Sequence, residues 1–392
     1  MLRVLVLHHN FPGQFAGVLE MCEEKGYEVT FVCETNYKKV TTNIKVHAIG
    51  ELQGDSKSFG SINSQILCSL NFDKKLENLK KENYKPDIII SHSGWGCGLY
   101  AKTVFPESRL ICYCEWWFKY NAAEFEFRKN KYINYSESVK KNMYLRNLPL
   151  ATELAEADEL VTPTEWQKSQ FPKGIARNMH IIHEGVDTDY FVQNRSWKQK
   201  GRCVITYATR GMEPIRGFTE MINAMNNILT EYNHVDLVIA GEDKVFYGAN
   251  KGNIESFGSW GRHVLKKHVE NKRVNFTGRL SKTKYARLLK KSDIHLYFTR
   301  PFIASWSLLE AMSSGCFLVT NNVEAVSEIV GSASRNIIVD HTNEDSLLNG
   351  IRRAVDMPAG QRLQIGLENR MRAESKFSRR MSLEKWGDLL GN

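Results

Sequence analysis

Short apolar runs alternate with amphipathic stretches along most of the chain. Residues 4–7, 29–32, 88–91, 110–114 and 160–162 read as strands, and 18–25, 64–82 and 152–157 carry helical spacing, with a polar segment at 50–60. Strands bracketed by helices imply parallel βαβ units, and runs apolar on both faces imply a sheet covered by helices on each side. The pattern restarts after residue 200: strands at 204–207, 237–240, 274–277, 294–297 and 317–320, and helices at 218–230, 259–269, 281–291 and 304–314. Residues 185–200, including Trp197-Lys-Gln-Lys, have no period and read as a connection. The expected fold is α/β, with two facing doubly wound (Rossmann-like) domains and an interdomain cleft. Ligands are expected at the carboxyl ends of the strands.

One stretch carries chemistry more openly than the rest. Arg-Pro-Phe-Ile-Ala-Ser-Trp-Ser-Leu-Leu-Glu-Ala-Met-Ser-Ser-Gly-Cys-Phe-Leu-Val-Thr at 300–320 reads as loop, helix, glycine stop and buried strand, with Glu310 the single carboxylate. Free N–H groups and the positive dipole end of that helix fall around Ile303, Ala304 and Ser305, a setting that suits a phosphate. Glu310 follows at about 10 Å, by roughly 1.5 Å per residue, which matches the span from a phosphate to a ribose diol.

This run resembles the donor-site signature of the family 4 glycosyltransferases, in which a Leu-Glu-Ala-Met helix holds the ribose of a nucleotide sugar. His-His-Asn-Phe-Pro-Gly-Gln-Phe at 8–15, Glu-Gly-Val-Asp-Thr-Asp-Tyr-Phe at 184–191 and Arg-Gly-Met-Glu-Pro-Ile-Arg-Gly-Phe at 210–218 fall in the order that family requires. The resemblance implies the GT-B architecture. Residues 1–183 would form the acceptor-binding domain, 184–200 the linker and 201–370 the donor-binding domain, and a C-terminal helix in 371–392 would pack back on the first domain.

Charge agrees with that division. Residues 1–190 hold 23 Lys plus Arg against 24 Asp plus Glu, which leaves 30 against 20 for the remainder. A basic second half suits a phosphate-bearing donor, whereas a nucleic-acid binder more often shows a continuous basic stripe with interleaved aromatics. No apolar run approaches the ~20 residues of a membrane span, and no signal-peptide pattern precedes residue 7. The expectation is a cytoplasmic protein with at most peripheral contact at the inner membrane face. Eight cysteines without regular spacing read as small buried apolar residues.

Arg210 and Arg216 sit near the carboxyl end of the first strand of the second half, where guanidinium groups can bind a departing diphosphate. The family has an Arg and a Lys there. Gly13, in the first strand-to-helix turn, allows the backbone to approach a ligand. Gly278 and Arg279 belong to a loop that in the family contacts the base. Asp187 and Asp189 have the spacing of metal-binding carboxylates, but Asp187 reads as a turn cap, and no metal is expected. His8-His9 and the pair His263 and His268 lack metal-ligand spacing.

Two departures from the family pattern stand out. Phe302 replaces a Glu eight positions before Glu310, and Glu115 replaces a His after the strand at 110–114. His92 is the substitute candidate for a polar contact on the acceptor side. The resemblance implies a retaining, metal-independent transfer from a UDP-, GDP- or ADP-sugar to a glycan or lipid-linked glycan, in the service of polysaccharide biosynthesis and without a cofactor. Glu310 would orient the donor through its ribose, and Arg210 and Arg216 would stabilise the leaving group. Rival readings are a nucleotide-sugar epimerase or hydrolase of the same fold and a silent donor-binding subunit. The aromatic insertion from Trp116 to Arg146 either meets the acceptor or is core.

Overall fold

Alternate residues of the central strands enter opposite cores. Val4 and Val6 join one apolar cluster and Leu5 and Leu7 the other; Ile88 and Ile90 face one side and Ile89 the other. Each such side chain is worth about 1.5–3 kcal/mol of burial, so a sheet covered on both faces is what these runs specify. The computed structural model describes residues 1–34, 44–49, 62–127, 132–133, 135–193, 201–246, 254–303 and 305–391. The expected polar segment at 50–60, the 194–200 part of the connection and Ala304 lie outside the described residues.

The chain divides into two units. The first comprises Met1–Ala122, Ser136–Glu184 and Arg379–Asn392. Its sheet contains β1 (Arg3–Leu7), β2 (Glu28–Cys33), β3 (Lys45–Ala48), β4 (Ile88–His92), β5 (Arg109–Tyr113), β6 (Glu159–Thr162) and β7 (Met179–Ile181), in the order β3-β2-β1-β4-β5-β6-β7. All pairings are parallel. The order reverses between β1 and β4, and the carboxyl ends beside that switch carry His8, His92 and Glu115.

The second unit comprises Ala123–Tyr135 and Gly185–Ser378. It contains β8 (Cys203–Gly211), β9 (Val235–Glu242), β10 (Val274–Gly278), β11 (Ile294–Tyr297), β12 (Leu318–Asn321) and β13 (Ile337–Val339), parallel and in the order β10-β9-β8-β11-β12-β13. Here the switch lies between β8 and β11. Leu308, Leu309, Ala311 and Met312 pack the helix Trp306–Ser313 into an apolar cluster with Leu318.

The observed units depart from the expected boundaries. The helix Ala359–Phe377 stays with the second unit, so only Arg379–Gly391 returns to the first. Trp386 anchors it there, 2 % exposed and edge-on to Phe15 at 6.4 Å. Residues 123–135, expected in the first domain, group with the second unit, because Phe127 stacks on His341 and Tyr132 packs edge-on to Phe257.

Candidate functional site

In the first unit four polar side chains, His8, Gln14, His92 and Glu115, converge at the switch point. The Asn10 N–H donates to His8 Nδ1 at 2.8 Å, so the His8 proton sits on Nε2, which donates to Gln14 Oε1 at 2.7 Å. The Gln14 amide then donates to Glu115 Oε1 at 2.8 Å. The other Glu115 oxygen faces His92 Nε2 at 3.4 Å. The His8 and His92 rings meet edge to face, with centroids 4.8 Å apart. Burial, reinforced by His92, holds His8 down to about 3 and therefore neutral. Burial alone would raise the Glu115 carboxyl, but His92, the donated Gln14 amide and His8 outweigh it and hold the group below the usual carboxylate range.

His92 is 2 % exposed, and neither ring nitrogen meets hydrogen-bond geometry with a described residue. Buried polar atoms are ordinarily satisfied, and here the ring faces the Glu115 carboxylate. Gln167 fixes the backbone of Glu115 by donating to its carbonyl at 2.8 Å.

Gly13 lies in the turn after β1, against His8. Its φ is +57°, and a Cβ there would lie 2.4 Å from the His8 ring. What the missing side chain admits is His8 itself. That histidine was passed over in the sequence because the pair His8-His9 has no metal-ligand spacing; its position directly after a buried strand was the available signal. Gln14 gave none.

The second unit gathers the remaining candidates at its own strand ends. A register shift between Ala208 and Gly211 spans Arg210, which is exposed near the end of β8 with its guanidinium 4.1 Å from the Phe246 ring centroid. Arg216 ends the turn Pro214–Arg216 and donates to Thr299 Oγ1 at 3.0 Å, while its carbonyl accepts from the Tyr207 hydroxyl at 2.9 Å. Glu310 lies inside the helix Trp306–Ser313; burial raises its carboxyl to about 7, against the opposing pull of Lys282 and of Tyr285 beside it.

The phosphate-facing end of that helix is displaced from the expected place. Its first residue is Trp306, and the Ser305 N–H already donates to the Tyr297 hydroxyl at 2.9 Å. The Ser305 N–H is therefore taken, and Trp306 and Ser307 are the leading residues of the helix. Phe302 is partly buried, and its N–H donates to the Arg300 carbonyl. Gly278 has φ +67° with nothing within 4 Å of a Cβ placed there, and Arg279 is largely exposed and paired with Glu242 at 3.0 Å.

Asp187 accepts from the Tyr190 N–H at 2.9 Å. Among the described residues no group of three His, Cys, Asp or Glu side chains is arranged to hold a metal ion. Of the insertion's aromatics, Trp116 and Phe125 are buried, and Phe118 carries the Arg146 guanidinium on its face at 4.4 Å. Packing accounts for these three. No described helix is long and apolar enough to cross a membrane.

Comparison with known proteins bears on both halves of the chain. Residues 25–191 match the model of the glycosyl transferase family 4 group, and residues 202–357 that of glycosyl transferases group 1. A comparison with curated proteins gave no match. Among solved structures, the chain is similar to Anabaena Alr3699/HepE in complex with UDP and glucose, at 14% identity and TM-score 0.69 over 100% of both chains. It is also similar to sucrose-phosphate synthase from Thermosynechococcus elongatus, at 14% identity and TM-score 0.73 over 99% of this chain and 98% of that one. A UDP-forming trehalose-phosphate synthase from Burkholderia xenovorans matches at 14% identity and TM-score 0.70 over 100% of this chain and 99% of that one. With two parallel Rossmann-like sheets of the GT-B kind and a glycosyltransferase model matched to each half, the chain is an enzyme belonging to the family 4 glycosyltransferases.

Proposed function

We propose that the protein transfers a sugar from a UDP-sugar to a glycan or lipid-linked glycan acceptor, with retention at the anomeric carbon and without a metal. What supports the donor is that HepE binds UDP and UDP-glucose and that the Burkholderia enzyme is UDP-forming. In this chain Arg210 and Arg216 end at the strand termini of the second unit, where they would bind the diphosphate and offset the charge that grows as it leaves. Glu310, as a carboxylate, would accept the two ribose hydroxyls.

The departing diphosphate itself can take the acceptor's proton, so no side-chain nucleophile is required. On the acceptor side, Glu115 and the buried His92 would hold sugar hydroxyls, Glu115 accepting and His92 offering whichever role its tautomer leaves. Its carboxylate would also favour positive charge developing at the anomeric carbon. The protein would act in the cytoplasm, in polysaccharide biosynthesis.

The observation that carries the proposal is the pairing of a glycosyltransferase match in each half with Arg210 and Arg216 at and just after the end of β8 and Glu310 inside the helix that follows β11. A thermal-shift series with UDP, GDP and ADP tests it, since a ligand that binds only the native state raises the melting temperature. UDP should shift the transition most; a larger shift with GDP or ADP would overturn the assignment of the base.

A further inference from the structure

Beside the polar cluster of the first unit lies a second group of reactive side chains that glycosyl transfer does not use. Cys68, on the helix Ile62–Lys81, has its sulfur 4.0 Å from that of Cys97. His9 stacks on Trp95 with ring centroids 5.0 Å apart and is paired through Nδ1 with Glu34. The Cys68 thiol lies close enough to His9 to favour its protonated form. Both cysteines are buried, 3 % and 1 % exposed, and neither is in a disulfide.

We propose that Cys68 and Cys97 form a peroxide-sensitive thiol pair, with Cys68 the attacking sulfur, Cys97 the resolving one, and His9 held by Glu34 as the proton donor. The two sulfurs need to approach by only about 2 Å to reach the ~2.05 Å of a disulfide. Interaction with Cys97 and with His9 lowers the Cys68 thiol to about 7, whereas burial pushes Cys97 well up. His9 acts on Cys68 and is not among the groups acting on Cys97, which assigns the attacking role to Cys68. His9 is raised to about 9: burial opposes its charge, but Cys68 and Glu34 outweigh it. A thiolate beside an imidazolium is the reactive form.

The chemistry balances with hydrogen peroxide as oxidant. The Cys68 thiolate attacks one peroxide oxygen, the O–O bond breaks, and the departing hydroxide takes the His9 proton to leave as water. Cys68 is then a sulfenic acid. The Cys97 sulfur attacks it, the S–O bond breaks, and a second water leaves. Two thiols and one peroxide give one disulfide and two waters.

The bond would act on the neighbouring site. Cys97 follows His92 through the turn Ser93–Trp95, and Gln65 on the helix bearing Cys68 already donates to the Gly94 carbonyl at 2.9 Å. A covalent tie would fasten the His92 loop to that helix.

The test uses the full chain treated with stoichiometric peroxide, followed by peptide mass spectrometry without reductant. A Cys68–Cys97 cross-link, reversed by dithiothreitol, is expected ahead of oxidation at Cys22, Cys33 or Cys112. In Cys97→Ala, a sulfenic acid trapped by dimedone should appear at Cys68. Glu34→Gln should slow cross-linking at least threefold, and His9→Asn at least tenfold; if His9→Asn does not fold, Glu34→Gln carries the test. Oxidation distributed over all the cysteines, or a rate unchanged in the folded Glu34→Gln variant, would overturn the proposal.

Discussion

His92 Nε2 and Glu115 Oε2 lie 3.4 Å apart at the ends of neighbouring strands β4 and β5. The histidine is buried and the Glu115 side chain a quarter exposed, so the pair sets a carboxylate against an imidazole. Gln14 holds the other carboxylate oxygen, which leaves Glu115 little freedom to turn away.

Glu115→Gln keeps this shape and removes the charge. If the carboxylate stabilises the anomeric centre, turnover should fall by one to three orders of magnitude, about 1.4 kcal/mol for each. Affinity for UDP, assigned to the other unit, should stay within twofold. Steady-state kinetics and calorimetric titration with UDP measure the two quantities. A fully active Glu115→Gln enzyme would remove the carboxylate from the chemistry.

Arg210 should matter more for turnover than for ground-state binding, because charge on the diphosphate grows towards the transition state. Arg210→Ala is therefore expected to lower kcat by more than it raises the UDP dissociation constant. The reverse pattern, weak binding with intact kcat, would reassign Arg210 to simple anchoring. Activity should also survive EDTA; loss restored by manganese or magnesium would show that a metal takes part.

The glycine at 13 makes a purely structural prediction. Gly13→Ala forces a residue with a Cβ to φ +57° and drives that carbon into the His8 ring at 2.4 Å. The backbone strain alone should cost about 1–3 kcal/mol, read from denaturant unfolding. In a His8→Ala background the steric part disappears and only the backbone part remains. Equal costs in the two backgrounds would mean that the ring moves aside freely.

How far the sequence spoke depends on burial. Strands in the middle of each sheet, such as 4–7 and 294–297, were legible because both faces are covered and, His295 apart, the residues are apolar. The edge strands β3, β7 and β13 were not: four, three and three residues long, they include exposed positions and show no buried run. The helix expected at 259–269 is two, Phe257–Val264 and Lys266–Glu270, which meet at the buried Leu265. Within the candidate site, Glu115 and His92 were singled out separately and prove to be neighbours. His8 and Gln14, which hold Glu115 in place, became visible only once the turn after β1 folded back over the strand ends.

Glu310 predicts a pH dependence whose sign can be worked out. Burial raises its carboxyl from 4.5 to about 7 in the folded chain, so between those values the folded state holds more proton than the unfolded one. Its contribution to stability is complete below about 4.5 and is lost as pH rises through 7. Donor binding should run the other way. A ribose diol donates two hydrogen bonds to a carboxylate but finds a weaker acceptor in the protonated acid, so UDP affinity should climb from pH 6 to pH 8 and proton release should accompany binding near pH 6.5. Calorimetry in two buffers of different ionisation heat measures that release. Glu310→Gln should abolish both the release and the slope, and Glu310→Ala should weaken UDP binding by about 1.5–3 kcal/mol. UDP affinity that is flat from pH 6 to 8, with no proton exchanged, would place the ribose elsewhere.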